Sequence, residues 1–462
     1  MPRKPSTNVN KLDNASDILN AIRNEAGDEY KSLVPECDGS VGSVRRIGEI
    51  MTTYTAVANT FLDVLVNRIG LVYIKSRMYT NPWSMFKKGM MEIGETIEEI
   101  WVDLATPFEF NRDRAESNVF KQEKPNVQVA FHHLNYRKFY KATVTEDELR
   151  QAFVSMQGVV DLISRIIETL VKSANYDEFI TMKYLIGRMA INGSLYPAEI
   201  PEVSATNSDA IITVIKEISN TLTFLKRDYN MAHVANATEK NRQYLISNSK
   251  FSAVNDVSTL AKAFNMEKAE FLGHQVMVDS FRPSATEIER YSELFAEDEG
   301  YVPFTDAELA LLDSIPAILI DDEFFMIFDN MLRAEAIRNP EGLYNNHFLH
   351  KWSVFSCSPF ANAILFTTTE PTVTSVTVSP SSATVVAGAT QQLVATVVVT
   401  GFADKSVEWS ISGQTSEDTK IDQTGKLTVG EDETDAGTIT VTAKSKFDSS
   451  KSGTSTITVS NS

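Results

Sequence analysis

The sequence predicts an α+β domain followed by a small all-β domain with an immunoglobulin-like fold. The first indication is a change of composition near Glu370: from Pro371 to Ser462 the chain is about one third Ser plus Thr and contains neither Cys nor His. The second is that this tail consists of short alternating segments around a single Trp, Trp409. The third is that the preceding part mixes stretches of helical period with strand-like runs.

The composition disfavours several classes of function. The chain has 462 residues, 43% hydrophobic and 23% charged, which suffices for two or more domains. A formal charge of -18 disfavours a protein that reads nucleic acid or binds anionic membranes. No apolar run approaches the roughly 20 residues of a membrane helix, and the basic, polar segment Met1–Asn14 lacks the apolar core of a secretion signal. We therefore expect a soluble protein made in the cytoplasm, with a flexible arm over residues 1–13.

Cysteine usage agrees with a reducing compartment. The chain contains only Cys37 and Cys357, whereas a secreted disulfide scaffold would need more. The sequence favours two free, buried thiols, and it leaves open whether the two ever pair.

Helical periodicity is clearest in a segment that begins at Thr145. Thr145 and Glu148 have the spacing of a capping box, in which each side chain binds a backbone N–H of the other residue. The apolar residues that follow keep a 3.6-residue period: Leu149, Phe153, Met156, Val160, Ile163, Ile167 and Leu170. At 1.5 Å per residue, this helix would extend roughly 40 Å. Other helices are predicted over Ser16–Asn24, Tyr176–Met189, Ser208–Lys226, Val257–Leu272 and within the acidic segment Ser284–Leu312.

The segment Asn81–Ala142 differs from its surroundings. It contains Pro82, Pro107 and Pro125 together with alternating runs such as Val127–Phe131. We interpret it as a long extended β excursion rather than compact core, and such a segment usually needs a partner surface to be ordered. Further strand-like runs are Leu71–Ile74, Gln275–Ser280, Ala317–Ile320, Phe324–Phe328, His350–Phe355 and Ala361–Phe366.

The tail alternates with a period of two. Its predicted strands are Val376–Val378, Gln392–Val397, Val407–Ile411, Thr438–Thr442 and Thr454–Val459. Ile421–Leu427 has the pattern of a hairpin that turns at Thr424-Gly425. Many short strands around Trp409 are typical of an immunoglobulin-like sandwich.

Motifs of catalysis are missing from the sequence. It has no phosphate-binding glycine loop, no dinucleotide-binding glycine pattern, no metalloprotease His pair and no nucleophile elbow. His132 and His133 are neighbours in a predicted strand, so they point to opposite faces and do not readily share one ion. His347 and His350 lie in an aromatic, strand-like context and are interpreted as structural or surface residues. The sequence therefore predicts no catalytic residue, no cofactor and no metal site.

Clusters of charge have simpler interpretations. Asp321–Glu323 and Glu431–Asp435 lack the spacing of a calcium loop and are interpreted as solvated turns. The Lys87–Lys88 pair lies inside the extended excursion. It either meets an acidic partner, such as the Glu92–Glu99 region of another copy, or remains a solvated pair, and the sequence does not distinguish the two.

Six short strings in order along the chain resemble the major capsid (head) proteins of small, short-tailed, phi29-like phages. The strings are Asp17–Asn24, Phe86–Gly89, Thr96–Ile100, Leu260–Met266, Arg338–Tyr344 and Phe360–Ala363. One such string would be weak evidence, whereas six in the family's order are specific. The tail is similar to the bacterial immunoglobulin-like domains of the second group. Its marks are Val376, Val378 and Pro380, Gly388 before Gln391–Leu393, Val407 with Trp409, and Gly425, Leu427 and Val429.

The resemblance implies the tailed-phage (Hong Kong type) capsid fold, followed by the immunoglobulin-like sandwich. In this fold an extended E-loop reaches a neighbouring subunit, a peripheral domain carries a long spine helix, and an axial domain packs around the capsomer axis. The divisions it implies are a capsid domain 14–366 with E-loop region 81–142, spine helix and peripheral domain 145–189 and axial domain 208–334, a linker 367–372, and the immunoglobulin-like domain 373–462.

The function implied by the resemblance is that of a major capsid protein without enzymatic activity. It would assemble with itself into the hexamers and pentamers of an icosahedral or prolate head shell around the phage genome. Implied partners are a scaffolding protein and a portal during assembly, double-stranded DNA without specific recognition, and a host cell-surface polymer through the tail, but no membrane. The protein would lie in the virion, and in the host cytoplasm during assembly. The tail would either contact the host surface or brace capsomers.

The tail also suits a protein of another class, a bacterial surface adhesin or a carbohydrate-active protein with an immunoglobulin-like accessory module. This alternative is weaker because the sequence offers neither a secretion signal nor a recognisable pair of catalytic carboxylates.

Overall fold

The computed structural model describes residues 15–54, 56–58, 60–61, 64, 79–91, 94, 96–108, 126–153, 158, 162, 166, 168–254, 274–298, 300–433 and 438–460. The predictions for Leu71–Ile74, Val257–Leu272 and four residues of the long helix (Met156, Val160, Ile163 and Ile167) lie outside these residues. The chain divides into two units. The first consists of Met1–Ile97, Phe131–Thr181 and Met326–Ser356, and the second of Glu98–Ala130, Met182–Phe325 and Cys357–Ser462.

The helices of the first unit bury one apolar face each in a shared core. They are α1 (Ala15–Glu25), α2 (Asp28–Leu33), α3 (Val41–Thr53) and α4 (Glu146–Ala152). Leu19 and Ile22 of α1 are buried, as the predicted amphipathic pattern requires. The capping box before α4 is confirmed, since Thr145 accepts from the backbone N–H of Glu148 and Glu148 accepts from that of Thr145. Helix α3, which begins at the N-cap Ser40, was not predicted.

A four-stranded sheet completes the first unit. Its strands, numbered in chain order, are β1 (Lys87–Met90), β4 (Tyr136–Thr145), β9 (Phe325–Asn339) and β10 (Tyr344–Cys357), in the order β1-β9-β10-β4. β4 and β10 pair antiparallel without interruption from Tyr344 opposite Thr145 to Ser353 opposite Tyr136. Tyr136 and Tyr140 are buried. The prediction that the whole of Asn81–Ala142 lies outside the compact core is therefore wrong at both ends: Lys87–Met90 and the last seven residues belong to this sheet, and Trp83 and Phe86 are buried.

Two further elements follow the sequence patterns closely. A two-stranded ribbon is formed by β2 (Thr96–Val102) and β3 (Val127–His133), within the predicted extended excursion. A π-helical turn over Glu168–Lys172 leads into α5 (Ser173–Ile191), which covers the predicted helix Tyr176–Met189.

A five-stranded sheet forms the centre of the second unit. Its strands are β5 (Tyr196–Glu199), β6 (Gln243–Asn248), β7 (Gln275–Val278), β8 (Ala317–Asp321) and β11 (Ala363–Thr367), in the order β5-β11-β8-β6-β7. Helix α6 (Ser208–Thr221) packs Ile211 and Ile215 into the same apolar core. The acidic segment forms α7 (Ala285–Leu294) and α8 (Asp306–Asp313), each with a capping box.

The tail is all β, as predicted. Its strands are β12 (Thr372–Ser379), β13 (Ser382–Val386), β14 (Thr390–Gln392), β15 (Val394–Thr400), β16 (Val407–Ser412), β17 (Lys420–Ile421), β18 (Lys426–Thr428), β19 (Thr438–Ser445) and β20 (Ser452–Ser460). They form sheets of order β12-β15, β13-β20-β19-β16 and β14-β18-β17 around one apolar core. Trp409 packs on this core, and Gly425 has a positive φ of 81° at the predicted hairpin turn.

Candidate functional site

The histidines considered in the sequence occupy ordinary positions in strands. His132 is buried with its Nδ1 2.7 Å from Ser356 Oγ, while His133 is exposed with its Nδ1 3.0 Å from Thr96 Oγ1. His347 is fully buried and His350 is half-buried. Among the residues that the structure describes, no three His, Cys, Asp or Glu side chains are grouped for a metal ion. None of the described helices is long and apolar enough to cross a membrane.

The prediction of a solvated turn is wrong for Asp321 of the first acidic cluster, while Asp322 and Glu323 lie in a turn with side chains that are 40% and 61% exposed. Asp321 is 3% exposed and receives a hydrogen bond of 2.6 Å from Thr238 Oγ1. Burial raises the pKa of the Asp321 carboxyl to about 6 in spite of this bond. Arg242 forms ion pairs with Asp321, Asp322 and Glu323. The cluster therefore fixes a turn of the second unit.

The second acidic cluster also contains a buried member. Glu433 is 3% exposed and accepts hydrogen bonds from the hydroxyls of Thr415 and Thr419. Burial disfavours its charge, but these hydroxyls and neighbouring backbone N–H groups outweigh that effect and hold the pKa of Glu433 at about 2. Glu433 is therefore a structural residue, while the predicted members Thr434 and Asp435 lie outside the described part of the chain.

Lys87 belongs to a largely buried charge network within its own chain, which is neither of the two alternatives that the sequence left open for the Lys87–Lys88 pair. Its Nζ lies 3.0 Å from Glu178 Oε2 and 2.6 Å from Asp329 Oδ2. Glu178 also accepts hydrogen bonds from Asn81 Nδ2, at 2.6 Å, and from Lys351 Nζ. Burial disfavours the charge of Glu178, yet the two ammonium groups lower its pKa. The network ties β1, β9 and β10 to helix α5.

The thiols of Cys37 and Cys357 are both buried and free, as the sequence favoured. Burial raises the pKa of Cys357 far above its ordinary value, which makes its thiol unreactive.

The two-stranded ribbon presents an exposed apolar surface. Ile100 and Val102 of β2 and Val127 and Val129 of β3 are between 43% and 60% exposed. The N–H of Asp103 donates to the carbonyl of Asn126 at 3.0 Å, so the two strands run side by side here with these four side chains on one side. We call them the apolar face. Contiguous apolar surfaces that remain exposed to water are common places for contact with a partner.

The opposite side of β2 is held by its own chain. Glu99 Oε1 accepts a hydrogen bond of 2.7 Å from Ser358 Oγ, and the Trp101 ring stacks on Phe360 at a centroid distance of 6.0 Å. Two residues further, Asp103 receives two hydrogen bonds from one guanidinium. We call Glu99, Trp101 and Asp103 the anchor face. They alternate with Ile100 and Val102 because successive side chains in a strand point to opposite sides.

The Asp103 contact is a two-point ion pair. Arg227 Nη1 lies 2.8 Å from Asp103 Oδ2, and Nη2 lies 2.9 Å from Oδ1. Asp103 Oδ1 also accepts from the N–H of Leu104 at 2.8 Å. The hydrogen bond from Arg227 holds the pKa of the Asp103 carboxyl below its usual range. Fork-shaped pairing of this kind fixes orientation as well as charge.

The four-stranded sheet of the first unit has a side that is rich in cations and aromatic rings. Arg137 lies over the ring of Trp352 at 5.2 Å, and Lys141 lies over Phe348 at 5.9 Å. Phe139, which is 59% exposed, packs beside Phe348 and His350. We call this the basic–aromatic face; its members are Arg137, Phe139, Lys141, Phe348, His350 and Trp352. In a chain of net charge -18, it is a surface suited to an acidic and apolar partner.

The tail is joined to the rest of the second unit through its loop 401–406. Lys405 Nζ donates to the carbonyl of Ile191 at 2.9 Å. Gly193 has a positive φ of 72°, and a Cβ there would lie 2.6 Å from the carbonyl oxygen of Ala403. Phe402 and Ala403 are buried. The loop therefore seats against the turn that follows α5.

The surfaces that stand out among the described residues are the apolar face of the ribbon and the basic–aromatic face of the four-stranded sheet. The architecture, helices with mixed sheets followed by an all-β domain, agrees with the tailed-phage capsid fold with an appended immunoglobulin-like domain. The profile of the family described as Phi29-like phage major capsid protein matches residues 19–367, and that of the bacterial Ig-like domain (group 2) matches residues 372–455. The chain belongs to the Phi29-like phage major capsid protein family.

Individual relatives agree with this assignment. The chain is 35% identical over 433 residues to the major capsid protein of Bacillus phage B103, covering 92% of this chain and 89% of the relative. It is 28% identical over 365 residues to that of Streptococcus phage Cp-1, covering 75% of this chain and 92% of the relative. A solved structure described as head fiber and inner core protein gp22 of native bacteriophage P68 superposes with a TM-score of 0.50 at 15% identity, over 64% of this chain and 87% of that chain. The protein is therefore a structural component of the phage head shell, and the adhesin alternative is not favoured.

Sequence reasoning identified the class but not the surfaces. The alternation of Ile100 and Val102 with Trp101 was available in the sequence as a signal for a two-sided strand. Ser358 lies 259 residues from Glu99 in the sequence, and Arg227 lies 124 residues from Asp103, so no local sequence pattern pointed to these two contacts.

Proposed function

We propose that copies of this protein join into the shell by packing the apolar face of one copy against the basic–aromatic face of the next. The observation that carries this proposal is the exposed apolar face on a ribbon that is otherwise anchored. Such a contact joins two different surfaces, so it is heterologous and can close into rings of five or six copies. The ribbon thereby takes the role of the E-loop that the family resemblance implies.

Charge complementarity supports this pairing of surfaces. Glu98 is exposed and lies on the same side of β2 as Ile100 and Val102. The basic–aromatic face supplies Arg137 and Lys141 beside exposed Phe139. Apolar side chains would then meet apolar rings, and the carboxylate would meet cations. Complementary charge of this kind fixes the register of an interface and suppresses wrong pairings.

The residue divisions that the family resemblance implies are proposed for this chain as well. They are an arm 1–13, a capsid domain 14–366 with E-loop region 81–142, spine helix and peripheral domain 145–189 and axial domain 208–334, a linker 367–372 and the immunoglobulin-like domain 373–462.

The remaining partners follow from the proposed role in the shell. A scaffolding protein and a portal would act during assembly in the host cytoplasm. The net charge of -18 supports a container that holds double-stranded DNA without binding it specifically. The immunoglobulin-like domain would face outward, for host-surface contact or for bracing capsomers.

Val102→Asp tests the proposed contact. Val102 is 60% exposed, so the substitution should barely alter the stability of the unassembled chain, but it would bury a charge between copies. We expect no shells by negative-stain electron microscopy under conditions in which the wild type forms them, with and without a co-expressed scaffolding protein. The matched control is Val394→Asp, which changes an equally exposed valine (57%) in a strand of the tail. Equal assembly of the two variants would contradict the proposal.

A further inference from the structure

The two sides of β2 have different partners, and this difference has a consequence for assembly. On its own, a two-stranded ribbon is marginally stable in water. Among the described residues, the apolar face adds little intramolecular support to the ribbon, since its four side chains are 43–60% exposed. The anchor face is therefore the surface through which the second unit supports the ribbon before any second copy arrives.

The anchor face is built on rigid positions of the second unit. Ser358 is 1% exposed, and its Oγ, while donating to Glu99, accepts from the N–H groups of Phe360 and Ala361 at 3.1 and 3.2 Å. Phe360, which stacks on Trp101, is 3% exposed. A fixed hydroxyl and a fixed ring thus define where Glu99 and Trp101 lie.

The third anchor comes from a different segment. Arg227 follows α6, and Lys226 next to it exchanges backbone hydrogen bonds of 3.0 Å with Asn236 in both directions. The guanidinium of Arg227 holds both carboxylate oxygens of Asp103 directly after β2 ends. The strand is therefore fixed along its length, in the middle and at its end.

We propose that the anchor face is an assembly-positioning device: Ser358, Phe360 and Arg227 hold the ribbon so that a second copy meets a pre-ordered apolar face. The partner is a second copy because each copy also carries the basic–aromatic face, whose cations and rings complement Glu98 and the valines of the ribbon. This inference rests on the proposed function. Association costs less when the ordering of a segment has been completed in the free chain. Without the anchors, the ribbon would become ordered only when two copies associate, and the cost of ordering it would weaken their association.

Charge reversal of the ion pair tests the device. Asp103→Arg and Arg227→Asp each place like charges together and should release the ribbon. Both variants are made in the full chain, with scaffolding protein added where shells need it. The first readout is the lowest subunit concentration that yields shells. The second is the hydrogen exchange of the ribbon amides in unassembled protein. We expect each single variant to raise that concentration about fivefold and to lose protection in 96–103, since like charges would replace the two-point ion pair. The double variant, which restores opposite charges, should recover both properties to within about twofold.

The matched control reverses an exposed pair that lies apart from the ribbon, Arg290 and Glu293 in α7. Arg290→Glu should leave assembly and ribbon exchange unchanged. Unchanged ribbon protection in both single variants would overturn the inference, because the pair would then not hold the ribbon. The inference would also be overturned if the ribbon amides lost protection while the subunit concentration needed for shells stayed the same, because the anchoring of the ribbon would then have no role in assembly. A wild type that forms no shells, while its ribbon is protected, would instead contradict the proposed function itself.

Discussion

At the scale of single residues, burial decides which charges are structural. Glu178, Asp321 and Glu433 are each 3% exposed, although carboxylates are almost never fully buried unless paired. Each is satisfied by hydrogen bonds or cations from residues that are 14 to 173 positions away in the sequence. Their sequence neighbourhoods are those of ordinary surface charges, so the sequence favoured solvated turns for two of them. Local composition reports the type of side chain, while the partner that makes its burial tolerable comes from tertiary structure.

His347 makes stability depend on pH. Its ring is fully buried, and neither nitrogen has a hydrogen-bond partner among the described residues. Burial lowers the pKa of His347 to about 4, from 6.5 in an unfolded chain. The folded state therefore resists protonation. Stability is complete above pH 6.5, falls as the unfolded state takes up its proton between pH 6.5 and 4, and has lost about 3 kcal/mol at the end of that window.

The measurement is the free energy of unfolding of the unassembled chain as a function of pH, by denaturant titration of the wild type and of His347→Leu. The leucine variant cannot titrate at this position, so its curve should lose less stability on acidification. The difference between the two curves should change by about 3 kcal/mol between pH 6.5 and 4. Parallel curves across this window would show that the ring is not held neutral by burial.

At the scale of elements, the helix that begins at Thr145 was predictable because its signals are local. The capping box needs only Thr145 and Glu148, and Leu149, Phe153 and Leu170 of the predicted apolar set are all buried. The predicted single long helix is wrong, however, because α4 ends at Ala152 with Phe153 as its C-cap, and Leu170 lies in the π-helical turn Glu168–Lys172. The ribbon was recognisable as extended from its prolines and its alternation. The burial of the end of this segment could not be recognised from the sequence, because Tyr136–Ala142 joins the core only by pairing with β10, more than 200 residues away.

Phe153→Ala measures whether the face of this helix is correctly assigned. Phe153 is 3% exposed, packs edge-on against Phe61 at 5.6 Å and lies directly over Gly48, where an added Cβ would come within 2.5 Å of it. Truncation should cost about 3–5 kcal/mol of unfolding free energy in the unassembled chain, because the space cannot fully collapse. The matched control is Phe224→Ala, at a phenylalanine that is 67% exposed and should cost well under 1 kcal/mol. Similar costs at the two positions would show that Phe153 does not face the core.

At the scale of the whole molecule, the chain combines a capsid domain with a second domain that has its own apolar core. Among the described residues, that core contains thirteen buried residues of the tail, from Val373 to Val459, and none from the rest of the chain. The order of the two domains was readable from composition, because the shift near Glu370 separates two kinds of packing. The packing of loop 401–406 against Gly193 and the carbonyl of Ile191 could not be predicted from the sequence, because no local motif marks these contacts.

Deletion of residues 373–462 separates the two roles proposed for the tail. Because its core is independent, removal should leave the capsid domain folded, and the ribbon and basic–aromatic face contain no residue of the tail. We expect shells to assemble and to withstand heating as the wild type does, while adsorption of the phage to cells falls. Weak contacts repeated over a shell add through avidity, so the loss on deletion should be far larger than the affinity of one isolated tail suggests.

The control for this deletion is Lys405→Met, which removes the bond to Ile191 but keeps the tail. If the tail serves host contact, this variant should adsorb at nearly the wild-type rate, since the binding surface is retained and only its seating is loosened. If the tail instead braces capsomers, both variants should form shells that break at lower temperature or in less denaturant, with adsorption of intact particles unchanged. Loss of shell stability without loss of adsorption would therefore reject the host-contact role and assign the tail to the mechanics of the shell.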